Sequence, residues 1–228
     1  MNTLFTIVDK KDRRAVTDTL KELALPLSVV LYAHGTAPQD ILDLLGIEER
    51  EKRVIVSVAN EEKSREFIRR VTNKLYIGVP GHGIIVSVPI KSIGGGNTVA
   101  YLSEEARPAP KTPSFSPDYE LIVAIANTGF TDPVMKAARG AGATGGTVVH
   151  GMGTGAHNAK QFLNVSLASE KEVILIVAGA KNKAAIMRAV LEEAGPATKA
   201  GTVVFSLPTS AVAGFGLFGQ EEETEEKQ

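Results

Sequence analysis

Short apolar runs alternate with amphipathic stretches along this chain, and the whole alternation occurs twice. TLFTIVD, LSVVLYAHG, KRVIVSVAN and GIIVSVPI are compact and rich in β-branched and aliphatic residues, the pattern of strands. RRAVTDTLKELAL lies between the first two and puts Val16, Leu20 and Leu23 on one stripe of a helix. EEKSREFIRRVTNKL opens with acids and ends with basic residues, as the helix macrodipole favours. The second series runs in the same order. YELIVAIAN, GTVVHG, EVILIVAG and GTVVFSLP read as strands. Thr131-Asp132-Pro133 supplies a cap residue and a proline for a helix over VMKAARGAGA, which stops at glycines. KNKAAIMRAVLEEAG sets Ile186, Val190 and Leu191 on one face and ends at Gly195-Pro196, so it reads as the second helix.

The two series are copies. GTA at Gly35 answers GTG at Gly153, VIVSVANEEK at Val54 answers VILIVAGAKN at Val173, and GIIVSVPI at Gly83 answers GTVVFSLP at Gly201. The offsets are 118, 119 and 118 positions, so one small insertion separates the halves. Strand–helix–strand, an excursion, then strand–helix–strand is the βαββαβ order of a ferredoxin-like unit. The expected class is therefore α+β, two tandem ferredoxin-like units. The expected division is a first unit over residues 1–95, a Gly- and Pro-rich linker over 96–117, a second unit over 118–219 and a charged tail over 220–228.

Composition removes several function classes. Twenty-five basic and 26 acidic residues leave a net charge of −1, which argues against broad electrostatic binding to nucleic acid or anionic lipid. The chain has no cysteine, so disulfides and thiolate chemistry are excluded, and no tryptophan. The apolar runs are too short to span a membrane and Met1 does not begin a signal-peptide pattern, so a soluble cytoplasmic protein is expected.

GATGGTVVHGMGTG, SEKEVILIVAGAKNKAAIMRAVLEEAG and GTVVFSLP together resemble the P-II signalling proteins and their P-II-like relatives. The resemblance covers nearly all of the second series and, more weakly, the first. It implies non-enzymatic, self-associating subunits that bind an anionic effector such as an adenine nucleotide in clefts between units. It also implies that a protein target is signalled to: a transporter, an enzyme or a regulator. Carried over residue by residue, the ligand-binding positions are Thr147, Gly151, Gly153, Thr154, Gly155, Lys199 and Gly201. The first series has Val29 in the place of Thr147. The family's Gly-Asp-Gly-Lys loop is Gly81-His82-Gly83-Ile84 in one half and Lys199-Ala200-Gly201-Thr202 in the other, neither with lysine in the expected place. The arginine pair that follows the last strand in that family is absent.

Other candidates carry simpler readings. Gly151-Met152-Gly153-Thr154-Gly155 suits either a nest of backbone N–H groups for an anion or a tight turn. His34, His150 and His157 are scattered, without cysteine or clustered acids, and read as surface or hydrogen-bonding histidines rather than metal ligands. His82 reads as a turn residue, and Arg69, Arg70, Lys181, Lys183 and Arg188 as solvated helix faces. No nucleophile elbow or triad pattern is present. Two other function classes stay open: a divalent-metal-binding protein of the cation-tolerance type, and an enzyme using the GMGTG turn as an anion site with His150 as its base.

Overall fold

The computed structural model describes residues 1–37, 51–79, 81–93, 102, 115–116, 118–153 and 170–215. The excursion after the second strand of each series, most of the connector and the charged tail lie outside these residues. The first half runs β1 (Asn2–Asp9), a 3-10 turn (Lys10–Asp12), α1 (Arg13–Glu22), β2 (Ser28–Gly35), β3 (Glu51–Ala59), α2 (Glu61–Leu75) and β4 (Ile84–Pro89). The second runs β5 (Tyr119–Asn127), α3 (Thr131–Gly140), β6 (Thr147–Met152), β7 (Glu170–Gly179), α4 (Ala180–Ala194), β8 (Val203–Pro208) and the short β9 (Ala211–Ala213). The architecture is mixed α/β, with four helices and an antiparallel sheet among the described residues.

All nine strands belong to one sheet in the order β8-β5-β7-β6-β2-β3-β1-β4-β9. The halves meet where β2 pairs with β6, in the register Ala33↔Val149, His34↔Val148 and Gly35↔Thr147. They meet again at the other side. β9 follows β8 after Thr209 and Ser210, yet pairs with β4 through Ile85↔Ala213, Val86↔Val212 and Ser87↔Ala211. The chain after β8 thus crosses to the far edge, and the sheet curls round on itself. Ser210 fastens the crossing: its amide donates to the Ser87 carbonyl at 2.7 Å, and its hydroxyl lies 2.8 Å from that of Ser87.

This closure explains the unbroken apolar runs. Along β5, Ile122, Ala124 and Ala126 point into a core with Val134, Met135 and Ala138 of α3 and Ile186, Val190 and Ala194 of α4. The alternate residues Leu121 and Val123 point the other way, into a cluster with Leu175 and Val177 of the same half and Ile7, Val54 and Val86 of the first. A third core gathers Leu4, Val8, Ile55 and Ile85 under Val16 and Leu20 of α1 and Phe67 and Val71 of α2. Strands covered on both faces have no polar side to alternate with, hence LIVAIA and VILIVA. Full burial of one such side chain contributes about 1.5–3 kcal/mol.

Local sequence supports the elements. Asn60 caps α2 by accepting the Lys63 amide at 2.8 Å. Gly146, before β6, lies against α3; a Cβ there would come 2.9 Å from Met135 Sδ, so a larger residue would push the Met135 side chain aside. Two sequence expectations shift. Leu191 is 46% exposed, and the buried stripe of α4 is Ile186, Val190 and Ala194 instead. Thr131 is the first residue of α3 rather than its cap, and the residue before it, Phe130, makes no side-chain cap bond. The strand β9 was not expected, because three small residues before Gly214 carry no periodic signal.

The cluster between the halves makes each depend on the other. Leu121→Ala is expected to cost about 2–5 kcal/mol, read as a lowered urea midpoint at unchanged m-value. The wild-type chain should unfold in one transition by circular dichroism; two resolved transitions, only one of them moved by the substitution, would contradict the shared core.

Candidate functional site

The ends of two equivalent strand ladders differ by one atom type, and that difference creates the candidate site. In the first half the ladder of β1 and β3 ends on the pair Asp9↔Lys52. In the second, the ladder of β5 and β7 ends on Asn127↔Lys171. The pairs occupy matching places: Asp9 to Asn127 is 118 positions and Lys52 to Lys171 is 119, the offsets of the repeat. Lys52 Nζ forms a largely buried ion pair with Asp9 and lies 3.3 Å from the Gly81 carbonyl. Lys171 Nζ donates to the amide oxygen of Asn127. Lysine has kept its place while its carboxylate has become an amide.

Lys171 is only 7% exposed. Among the described residues, no carboxylate lies within ion-pair distance of it. An ammonium group taken out of water without a counter-charge is strongly disfavoured. Burial accordingly pulls the Lys171 pKa below the ordinary lysine value.

The surroundings leave room for a counter-ion. Gly151 on β6 stands opposite Lys171 in register, and a Cβ there would meet nothing within 4 Å. Thr128, His150, Gly151, Met152, Glu170 and Lys171 line a cavity of about 360 Å³. Asn127 is held from behind: its side-chain amide donates to the Lys199 carbonyl at 2.9 Å, and its backbone amide donates to the Ala200 carbonyl at 2.9 Å. A chain of direct contacts therefore runs from Gly151 through Lys171 and Asn127 to the segment before β8.

The residues expected from the sequence sit as follows. Thr147 is buried at the start of β6, opposite Gly35 and Leu175. Gly151 and Met152 belong to the strand β6 rather than to a turn, and Gly153 follows its end. Thr154 and Gly155 lie outside the described residues, as does His157. Lys199 is exposed and meets the site through its backbone carbonyl. Gly201 is buried and adopts φ 56°, a left-handed conformation that suits glycine. Lys171 and Asn127 were not singled out from the sequence. Aligning Asp9 with Asn127 across the repeat carries the signal, because it shows an acid exchanged for an amide beside a retained lysine.

A larger cleft of about 1340 Å³ lies between His34, Gly35, Thr36 and Ala37 of the first half and α3 and α4 of the second. The helix N-terminus in it is already satisfied. The Glu172 carboxylate, 5% exposed, accepts the Gly129 amide at 3.1 Å, the Thr131 amide at 3.0 Å and the Thr131 hydroxyl at 2.7 Å. This supplies the cap that α3 lacks locally. Asp132, Glu192 and Glu193 add negative charge to the lining, so an anion is disfavoured there relative to the Lys171 cavity. Across this seam Arg139 donates to the Thr36 carbonyl, and the Thr36 hydroxyl lies 3.0 Å from both the amide and the carbonyl of Gly146.

His82 Nδ1 lies 2.9 Å from the Leu75 carbonyl at the end of α2, a turn-stabilising place. Arg69 and Arg70 both bind Glu66, and their hydrogen bonds hold its carboxyl down at about 2. Lys183 pairs with Glu120 at 2.8 Å. His34 and His150 come together across the seam between β2 and β6.

Comparison with known proteins adds a family to this geometry. The family model described as "Nitrogen regulatory protein P-II" matches residues 119–215. The second half of the chain, which contains Thr147, Lys171, Asn127 and Lys199, is therefore P-II-like. No protein of curated function matches the chain. A solved structure of an unknown protein from Galdieria sulphuraria is similar at 11% identity, covering 91% of this chain and 97% of its own, with a TM-score of 0.25. That likeness is too slight to carry an argument.

The site generates two expectations. Because the folded state holds the Lys171 pKa below its unfolded value of 10.5, the unfolded chain binds more protons between the two values, and stability rises with pH through that window. Lys171→Met should remove this part of the alkaline rise; urea midpoints of wild type and variant measured against pH should converge as pH approaches the unfolded value. For the cap, Glu172→Ala should cost about 1–3 kcal/mol by leaving the Gly129 and Thr131 amides without their acceptor. A variant with an unchanged urea midpoint would show that the cap contributes nothing.

Proposed function

We propose that this chain is a non-enzymatic P-II-like regulatory protein made of two tandem ferredoxin-like units, over residues 1–95 and 118–219, with residues 96–117 as their linker. The second unit holds a small anionic, nucleotide-like effector, and the first is mainly its structural partner. The observation that carries this reading is the buried lysine that has no carboxylate within ion-pair distance among the described residues. A bound phosphate or carboxylate would supply what Asp9 supplies to Lys52 in the other half. Its approach is open over Gly151. The family match falls on the same half, and the hydroxyl-bearing Thr147 is present only there, the first half having Val29.

Lys171 displaces Lys199 as the main cationic anchor in this reading, since Lys199 is exposed and charges in water are screened. Lys199 stays in the site through its carbonyl and as an outer positive charge. In this reading the effector bridges the end of β6 and the segment before β8, and its presence is relayed to a protein target through the residues that follow Gly153. Self-association of chains and a cytoplasmic setting belong to the same reading. Among the described residues, no helix is long and apolar enough to cross a membrane. Val203 and Phe205 on β8 present exposed apolar surface that another subunit would cover.

The test is a thermal-shift screen of adenine nucleotides, cyclic nucleotides, 2-oxoglutarate and bicarbonate, followed by calorimetry on the compounds that raise the melting temperature. Lys171→Met should weaken the best compound at least tenfold, about 1.4 kcal/mol. Asn127→Asp should mimic the first half: the apo protein gains stability and the anion loses affinity. A compound that binds the Lys171→Met and Asn127→Asp variants as tightly as the wild type would remove this site from the reading, and a screen without any stabilising anion would remove the effector.

A further inference from the structure

The seam between the halves brings two imidazoles together, one of which, His150, also lines the effector cavity. His34 lies near the end of β2, with register partner Val148 on β6. His150 lies two residues further along β6, so the two rings are diagonal neighbours on one face of the antiparallel seam. His150 Nε2 and His34 Nδ1 are 3.3 Å apart, and the ring centroids are 4.8 Å apart with planes inclined at 29°. Together with Tyr32, Glu51 and Arg53, the histidines line a cavity of about 410 Å³.

We infer that His34 and His150 form a two-histidine site for a borderline divalent transition metal such as Zn²⁺, which pins the two halves together across the seam. The separation is the first reason. Two nitrogens on a tetrahedral ion at about 2.0–2.1 Å each are about 3.3–3.4 Å apart, and the ring centroids behind them about 5 Å apart. Both distances match the pair as it stands, at the long end of hydrogen-bond contact without a metal. The position is the second reason. One ligand comes from each half, so a bound ion ties β2 to β6 beside the three register pairs that join them.

The neighbours define how strong the site is. Glu51 faces His34 across the ladder of β2 and β3, but its carboxylate is taken by Lys10 at 2.9 Å and Arg53 at 3.5 Å. Arg53 itself stacks over Tyr32, 4.7 Å from the ring centroid, and its positive charge opposes a second cation nearby. Among the described residues, no group of three or more His, Cys, Asp or Glu forms a metal cluster. With two ligands among the described residues, the ion is an exchangeable brace rather than a permanent structural metal. Imidazole binds a metal through a deprotonated nitrogen, so protons compete with the ion for both rings.

The experiment is Zn²⁺ titration of tag-free protein by calorimetry and thermal shift, with His34→Gln, His150→Gln and the control His82→Ala. One saturable ion per chain and a raised melting temperature are expected for wild type and for His82→Ala. Each of His34→Gln and His150→Gln should weaken Zn²⁺ at least tenfold and abolish the thermal shift, while melting near the wild-type temperature without metal. Absence of saturable binding to the wild type up to millimolar Zn²⁺ would overturn the site. So would loss of binding in only one of the two histidine variants, or in neither. Effector binding is read separately through Lys171→Met, and because His150 lines both cavities, His34→Gln is the variant that reports on the ion site alone.

Discussion

The central strands of each half, β1 and β3 in the first and β5 and β7 in the second, are buried on two faces, and the rest of the structure follows from how that is arranged. The helices of each half cover one face of its own strands. Among the described residues, nothing within a half covers the other face, where Ile7, Val54 and Val86 on one side and Leu121, Leu175 and Val177 on the other would meet water. The two halves therefore cover each other. Burial of apolar surface is non-directional and proportional to area, so it sets the association but not its register. Register comes from the hydrogen-bonded seams, β2 with β6 and β4 with β9.

That arrangement gives duplication its physical sense. One half alone would expose its inner face; two halves in one chain meet at high effective concentration. Once both copies are held, they no longer need to be identical. Asp9 and Lys52 remain a buried ion pair in the first half, where they hold the end of the ladder. In the second, the same position has lost its carboxylate and kept its lysine. A substitution of this kind costs stability, because it leaves a charge without its partner. It also produces a place where an added anion contributes more than it would at the surface. The same logic separates the two clefts, since the larger one already has a carboxylate, Glu172, at its helix N-terminus.

The seams also concentrate polar chemistry at the junction. Thr36, Gly146 and Arg139 form one cross-half network, and His34 and His150 form another. Both groups sit at ends of strands, where the ladders stop and side chains from different halves come within reach. A ligand or ion bound at these positions would act on the relation between the halves rather than on one half alone.

Much of the fold was legible in the chain. Eight of the strand segments and all four helices follow from apolar runs, turn residues and charge bias, because those signals are local. The repeat and its offsets were legible too, and they identify Asp9 with Asn127 and Lys52 with Lys171 without any coordinates. What local signals could not give is which face of a doubly apolar strand meets its own helices and which meets the other half. A run such as LIVAIA has no polar face to mark the difference. They likewise could not say that β9 returns to β4, that a carboxylate two strands away caps α3, or that Lys171 is buried beside an amide. Each of these is a contact between residues far apart in sequence, and its energy exists only once the sheet has closed.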